Sequence, residues 1–334
     1  MAAGWREDYD PETYQDSASA RQTMQFLESV GEDPFFALID IGEPHPPYKE
    51  WPGILDDLAL DEVTLPPYPE LEESHPVVQA WRKSHGVEAL TEMDRKRLLR
   101  AYWSQAMFAD RLVGRLLDKL DELGLAQNTL VVWGSDHGDF IGEFGCYEKW
   151  DNALYDCLTQ VPLVMRLPRV LPPGERKAAL VELIDVAPTI LEICEMPVPE
   201  WMHGRSLLAL AQGRTERHKE VVFSQGGVEP VAVRKPGQDY LKRLNPSYYG
   251  KQRTLIEHPE ALIRAHMVRT ETHKLIYRLT GDHELYDLVA DPGELVNRYG
   301  DAALAELQMS LQLKLLEFFA TYQQDQPAIR ELWA

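Results

Sequence analysis

Cysteine is scarce in these 334 residues. There are three, Cys146, Cys157 and Cys194, and none forms a CxxC pair, which excludes a zinc knuckle or a dithiol redox motif. A sparse, odd count fits a reducing compartment. Long hydrophobic runs are missing too. No stretch reaches the roughly 18 apolar residues of a membrane span, and the polar opening MAAGWREDYDPETY lacks the apolar core of a secretory signal. The expectation is a cytoplasmic protein with no membrane contact. Positive charge is in deficit: Lys plus Arg is 34 against 54 for Asp plus Glu, a formal net charge of −20. Such a surface repels polyanions, so nucleic-acid binding is not expected, while cations are concentrated near it. Internal repeats and low-complexity tracts are also absent.

What remains is an ordinary globular composition, 44% hydrophobic and 26% charged, long enough for about two domains at roughly 150 residues each. Residues 16–30 read as a short amphipathic helix. Phe35–Ile41 (FFALIDI) is an apolar run of strand length and reads as a buried strand. From about 46 to 90 the chain is rich in Pro and acid and resists regular assignment. Thr91, with Glu92 and Asp94 behind it, opens the strongest helix. Its apolar face is expected to run through Leu98, Tyr102, Ala106, Ala109, Val113, Leu116, Leu120 and Leu123 to a stop at Gly124.

Thr129–Trp133 reads as a buried strand, 161–166 as another and 185–195 as a helix, a pattern that predicts an α/β sheet with crossover helices. After about residue 220, VVFS, AHMVRT, HKLIYRL and HELYDL predict a small antiparallel sheet, with a helix over about 301–322 packed on it. The expected division is 1–219 and 220–334.

Ligands of open α/β sheets bind beyond the carboxyl ends of strands, so the loop after TLVVW holds the first candidates. It carries Asp136, His137 and Asp139, then Glu143, Glu148 and Lys149. A carboxylate beside an imidazole, flanked by Gly134 and Gly138, can place two ligands on one metal, and the glycines would let backbone approach an ion. A solvated polar loop with a capping Asp is the alternative. Ser135 in GSDHG does not match the GxSxG nucleophile elbow.

The run SDHGDFIGEFGCYEKW resembles the sulfatase signature of S-D-H-G, then G-E-x-G, then E-K. PFFALIDIGEPHPPY resembles the sulfatase strand that delivers a P-H-x-P-Y loop. DVAPTILEICEMPVPEWMHGRSLLAL is similar to the D-x-x-P-T-x-L helix and its G-x-S-L. HKLIYRLTGDHELYDLVADPGE is similar to the C-terminal hairpin with E-L-Y-D-L and D-P-x-E. These occur in family order from about residue 17 to 322. The resemblance implies an alkaline-phosphatase-like α/β fold whose N-terminal strands are missing here, plus the small C-terminal antiparallel sheet with its packed helix. It implies Asp136 and His137 as ligands of Ca2+ or Mg2+, Lys149 on the sulfate oxygens, and His45 near the ester oxygen, as proton donor or anion binder.

Asp139 and Glu143 are expected to hold the loop. His75, His85, His218 and His283 are expected at the surface, with His203, His258, His266 and His273 as secondary cleft candidates. The aromatics Tyr48, Trp51, Tyr68, Trp81, Tyr248 and Tyr249 either shape the cleft or pack the loops.

The resemblance also exposes a gap. The family's nucleophile motif, Cys- or Ser-x-Pro-x-Arg, matches none of CYEKW, CLTQV and CEMPV, nor any serine here. The family's paired aspartates after its first strand have no counterpart either, since Asp56 and Asp57 follow no strand. The expected function is a metal-dependent sulfuric-ester hydrolase acting on an aryl or carbohydrate sulfate. It is present as its C-terminal part, with an N-terminal segment or split partner outside the chain, and is inactive alone. The alternatives are a phosphonate monoester or phosphodiester hydrolase, with Mn2+ or Zn2+ as further metals, or a non-catalytic binding protein that keeps the fold. The oligomeric state is not legible.

Overall fold

The computed structural model describes residues 10–230 and 249–322; Tyr248 and the side chain of Tyr249 lie outside them. In chain order the elements are α1 (Gln15–Val30), α2 (Pro76–His85), α3 (Glu92–Glu122), β1 (Val131–Gly134), β2 (Phe140–Ile141), β3 (Tyr147–Glu148), α4 (Asp156–Thr159), β4 (Leu163–Arg166), α5 (Val186–Ile193), α6 (Leu208–Ala211), β5 (Val222–Gly226), α7 (Tyr249–Glu257), β6 (Ala265–Arg269), β7 (His273–Arg278), β8 (Glu284–Asp287) and α8 (Ala305–Tyr322). Among the described residues no helix is long and apolar enough to cross a membrane. The ladders between these strands are antiparallel: β1 with β4, β2 with β3, and β5-β6-β7-β8.

The chain forms two compact units. Within the described residues, the first holds those up to Thr129, Asp139–Glu148 and the stretch ending at His258. The second holds Leu130–Gly138, Lys149 to residue 230, and Pro259 to residue 322.

In the first unit α3 is capped as its sequence predicts. Thr91 accepts from Asp94 N–H, and Asp94 accepts from Thr91 N–H, the reciprocal arrangement of a capping box. Leu98, Ala109, Leu116 and Leu120 are buried as expected, whereas Tyr102, Ala106, Val113 and Leu123 are only partly covered, and the face runs instead through Ala101, Ser104, Gln105, Phe108 and Leu112. The reason is polar. Ser104 Oγ accepts from Trp51 N–H at 2.7 Å and Gln105 donates to the His45 carbonyl at 3.2 Å, so α3 turns these residues toward the 43–51 loop. Trp51 then stacks on Phe108, centroids 4.1 Å apart, in a core with Ala20, Leu112 and Leu116.

Two expectations fail here. Residues 46–90 contain α2, signalled by Pro76 in its first turn, the His75 imidazole accepting from Val77 N–H, and left-handed Gly86 at its end. Those are recognisable start and stop signals that a Pro-rich surround obscured. Phe35–Ile41 forms no ladder among the described residues. Ile39 and Ile41 pack on the α1/α3 core, while Phe36 and Leu38 are 76% and 89% exposed. It is therefore not a buried strand, because only one of its two faces is covered.

The loop aromatics pack: Tyr48, Trp51 and Trp81 are buried, and Tyr68 lies under Arg82 and Arg95. The histidines expected at the surface are likewise engaged. His75 caps α2, His218 meets Asp185 at 3.2 Å, and His283 stacks on Tyr277. His85 lies 3.8 Å from the Trp81 ring, centroid to centroid, and burial lowers its pKa to about 4.

His85 makes stability acid-sensitive. The folded pKa lies below the ordinary 6.5, so neutral His85 stabilises the fold fully above about pH 6.5. That contribution is lost as pH falls toward 4, about 3 kcal/mol in all. Urea midpoints at pH 7 and pH 4.5 should converge less in wild type than in His85→Asn; equal pH dependence in the two proteins would exclude this role.

In the second unit the four-stranded sheet has two unlike faces. Val268, Leu275 and Leu285 pack on Leu311 and Leu315 of α8. The alternate residues Lys274, Arg278 and Glu284 are also buried, against the segment 150–156. Lys274 pairs with Asp156 at 2.6 Å and Glu294 at 2.7 Å. Arg278 pairs with Glu284 and donates to the Asn152 carbonyl, and Tyr155 donates to Glu284. Burial raises the Asp156 carboxyl, but Lys274 and Arg269 outweigh it and hold that carboxyl below the usual range.

Candidate functional site

Asp136 and His137 leave β1 in the second unit, as the sequence predicts. Gly138 is needed there for close packing of backbone on backbone. Its N–H donates to the Leu158 carbonyl at 2.8 Å, and a Cβ at this position would lie 2.0 Å from the Cys157 carbonyl oxygen. The glycine admits a close backbone–backbone contact with α4. Gly138→Ala must push the loop off α4, with an expected loss of about 3 kcal/mol. Thermal unfolding of the variant checks this, and an unchanged midpoint would show that the loop yields freely.

The imidazole of His137 is oriented by its own loop. Nδ1 lies 2.8 Å from the Gly138 carbonyl. A carbonyl only accepts, so Nδ1 carries the proton and Nε2 presents its lone pair. That Nε2 lies 3.6 Å from Asp136 Oδ2. Asp136 Oδ1 meanwhile accepts from His137 N–H at 2.9 Å. Two lone-pair donors thus converge on one point at an exposed loop, 84% exposed at Asp136 and 42% at His137. Contacts of about 2.0–2.5 Å to one ion fit that separation. The donor set is incomplete, since among the described residues no group of three or more His, Cys, Asp or Glu could hold a metal.

Lys149 is in the same unit and half-buried. It forms no ion pair with Glu148 or Asp151, the partners that a purely structural lysine would take. Its position is set from behind. Trp150 Nε1 and Asn152 Nδ2 both donate to the Ala261 carbonyl at 2.8 Å. Gly226 admits the Asp151 carbonyl where a Cβ would stand 1.6 Å away. Sequence reasoning missed these anchors because their partners lie more than a hundred residues downstream, except Gly226, whose place in a strand pattern signals close backbone approach.

His45 belongs to the first unit and is exposed. Its N–H donates to the Gly42 carbonyl at 2.9 Å, and Nδ1 lies 2.6 Å from the Pro46 carbonyl. The carbonyl only accepts, so Nδ1 carries the proton of the neutral ring. The loop is pinned by buried Glu43 and Lys49, which pair with each other. The Lys49 ammonium sits 4.2 Å over the Tyr14 ring, and burial raises the Glu43 carboxyl.

Asp139 and Glu143 bond to neighbouring groups of the first unit. Tyr48 donates to Asp139 at 2.8 Å, Glu143 accepts from Ile141 N–H at 2.7 Å, and Asp56 and Asp57 are exposed. Cys146 is fully buried, which pushes its thiol pKa well up.

The family model for sulfatases matches residues 3–196, more than half of the chain, and the protein belongs to the sulfatase family. The N-acetylglucosamine-6-O-sulfatase of Bacteroides thetaiotaomicron is 30% identical over 248 residues, 73% of this chain and 39% of that protein. Human iduronate 2-sulfatase is 30% identical over 228 residues, 56% of this chain and 41% of its own length. The chain thus spans about two fifths of these relatives.

Among solved structures, a phosphonate monoester hydrolase from Silicibacter pomeroyi superposes with a TM-score of 0.77 at 22% identity, over 95% of this chain and 62% of that one. A protein solved with its substrate D-glucosamine-2-N,6-O-disulfate gives 0.70 at 22%, over 94% and 71%. At these identities the structural matches establish the alkaline-phosphatase-like α/β fold.

Proposed function

We propose that this chain carries part of the active site of a metal-dependent sulfuric-ester hydrolase that acts on sulfated carbohydrates. Asp136 and His137 contribute two ligands of a divalent ion, Lys149 binds the sulfate oxygens, and His45 transfers a proton at the ester oxygen. The observation that carries the reading is the convergence of the His137 Nε2 lone pair and the Asp136 carboxylate, 3.6 Å apart, in a member of this family. A carboxylate and a neutral imidazole suit a hard or intermediate cation, and Ca2+ or Mg2+ is assigned. Bound there, the ion would stabilise negative charge on ester oxygens. Lys149, unpaired with either neighbouring acid, would complement the same anion. The names of the two curated relatives, both sulfatases of sugar residues, support the substrate class. A phosphonate monoester substrate is the second reading, supported by the fold shared with the Silicibacter hydrolase.

Calcium titration of the chelator-treated chain by calorimetry tests the ligand pair. Two ligands should give weak binding, with Kd on the order of 10⁻³ M or above. Asp136→Ala and His137→Ala should each weaken it at least about tenfold, whereas Asp56→Ala should not. Binding that survives both site substitutions would remove these residues from the metal site.

A further inference from the structure

Gln105 lies in the middle of α3 and is fully buried, a rare place for an amide. Its Nε2 faces three acceptors: the Glu43 carboxylate, the His45 carbonyl at 3.2 Å and the Pro47 carbonyl at 3.4 Å. Carbonyls only accept, so the amide is held with its NH2 group toward the loop. Oε1 is left buried with no partner among the described residues. A residue kept for packing alone would not carry that cost. The NH2 group is what the position uses.

The backbone beside His45 has little freedom left. Proline rings lock φ at Pro46 and Pro47, and Gln105 holds the carbonyls on either side of Pro46. Together these fix the direction of the Pro46 carbonyl, whose oxygen lies 2.6 Å from His45 Nδ1. The hydrogen bond made at one ring nitrogen decides which nitrogen carries the proton of a neutral imidazole. We propose that Gln105 is a positioning residue for His45: by holding the His45 and Pro47 carbonyls it turns the Pro46 carbonyl onto Nδ1 and keeps the neutral ring in a single tautomer. Ser104, the preceding residue of α3, makes a different contact with the same loop, accepting from Trp51 N–H at 2.7 Å. The proposal deepens the reading of His45 at the ester oxygen and rests on it, because proton transfer needs a defined donor atom. The measurement below reads the ring itself, so its failure is distinct from a failure of the calcium titration.

The test is imidazole nitrogen NMR of the full chain, isotope-labelled at histidine, at about pH 8.5, well above the ordinary imidazole range. The His45 signals are assigned as those missing in His45→Ala. In wild type the ring should be the Nδ1–H tautomer. Gln105→Met removes the donor at nearly constant length, and the ratio of the Nδ1–H to the Nε2–H form should fall about five- to tenfold, the worth of roughly one hydrogen bond. Ser104→Ala breaks a buried bond of the same loop at Trp51; it should lower the urea midpoint and leave the ratio unchanged. Should Gln105→Met not fold, Gln105→Asn, which retains the amide but draws it back from the carbonyls, gives the same readout. A wild-type ring in the Nε2–H form, a ratio indifferent to the Gln105 substitution, or an equal shift in Ser104→Ala each overturns the proposal.

Discussion

The purified chain, supplied with calcium or magnesium, is expected to turn over neither an aryl sulfate nor an aryl phosphonate. The family's nucleophile is a Cys or Ser in an x-Pro-x-Arg context, and none of the 334 residues provides it. Nor does Cys146, the thiol nearest in sequence to Asp136 and His137, stand in. Cys146 is enclosed and its burial disfavours the thiolate, the form that attacks. Losing the nucleophile of a covalent mechanism costs on the order of a million-fold in kcat. The two proposed ligands, Asp136 and His137, would also leave a divalent ion short of its usual six or more ligands. The assay compares the wild-type chain with Asp136→Ala/Lys149→Ala, which controls for contaminating sulfatase. Turnover present in the first and absent in the second would locate a nucleophile within these residues and overturn the account.

The second large effect is on stability. Arg278→Ala is expected to destabilise the second unit by about 3–5 kcal/mol, because it leaves the Glu284 carboxylate buried without its cation. Glu284 is fully enclosed, and the Tyr155 and Tyr286 hydroxyls that also donate to it carry no charge to replace the guanidinium. Asn152 would lose the donor to its carbonyl, loosening the segment behind Lys149. Replacing both partners tells a different story. Arg278→Met with Glu284→Leu removes both charges together, and buried pairs replaced by apolar residues are often neutral or better. Urea unfolding should therefore show the double variant well above the single one. Equal losses would mean that the pair contributes through shape rather than charge.

Lys274 sits in the same layer, and its ammonium is shared by Asp156 and Glu294. With Arg269 on Asp156, the layer sets Lys274, Arg269 and Arg278 against Asp156, Glu294 and Glu284. A charge-balanced buried layer specifies which strand face the 150–156 segment meets, and so where the chain re-emerges at Lys149.

Much of this was legible in the sequence. The Thr91 cap, the α3 helix, the four strands after residue 220 and the closing helix all carry local signals: a side chain that caps its own turn, or apolar residues at a fixed period. The adjacency of Asp136 and His137 after an apolar run was equally local, and so was the motif order that marks the family. Local signals survive because the interactions that produce them span three or four residues.

Tertiary structure decided the rest. An alternating strand such as HKLIYRL predicts that its charged residues face water, yet Lys274 and Arg278 are enclosed because residues 152–156 return from far upstream to meet them. FFALIDI reads as buried on both faces, yet burial needs a partner, and within the described residues only one face has one. The same holds at Gly138, whose necessity comes from a carbonyl in α4. Periodicity fixes which side chains share a face. What covers that face depends on contacts between segments distant in sequence, and no local pattern encodes them.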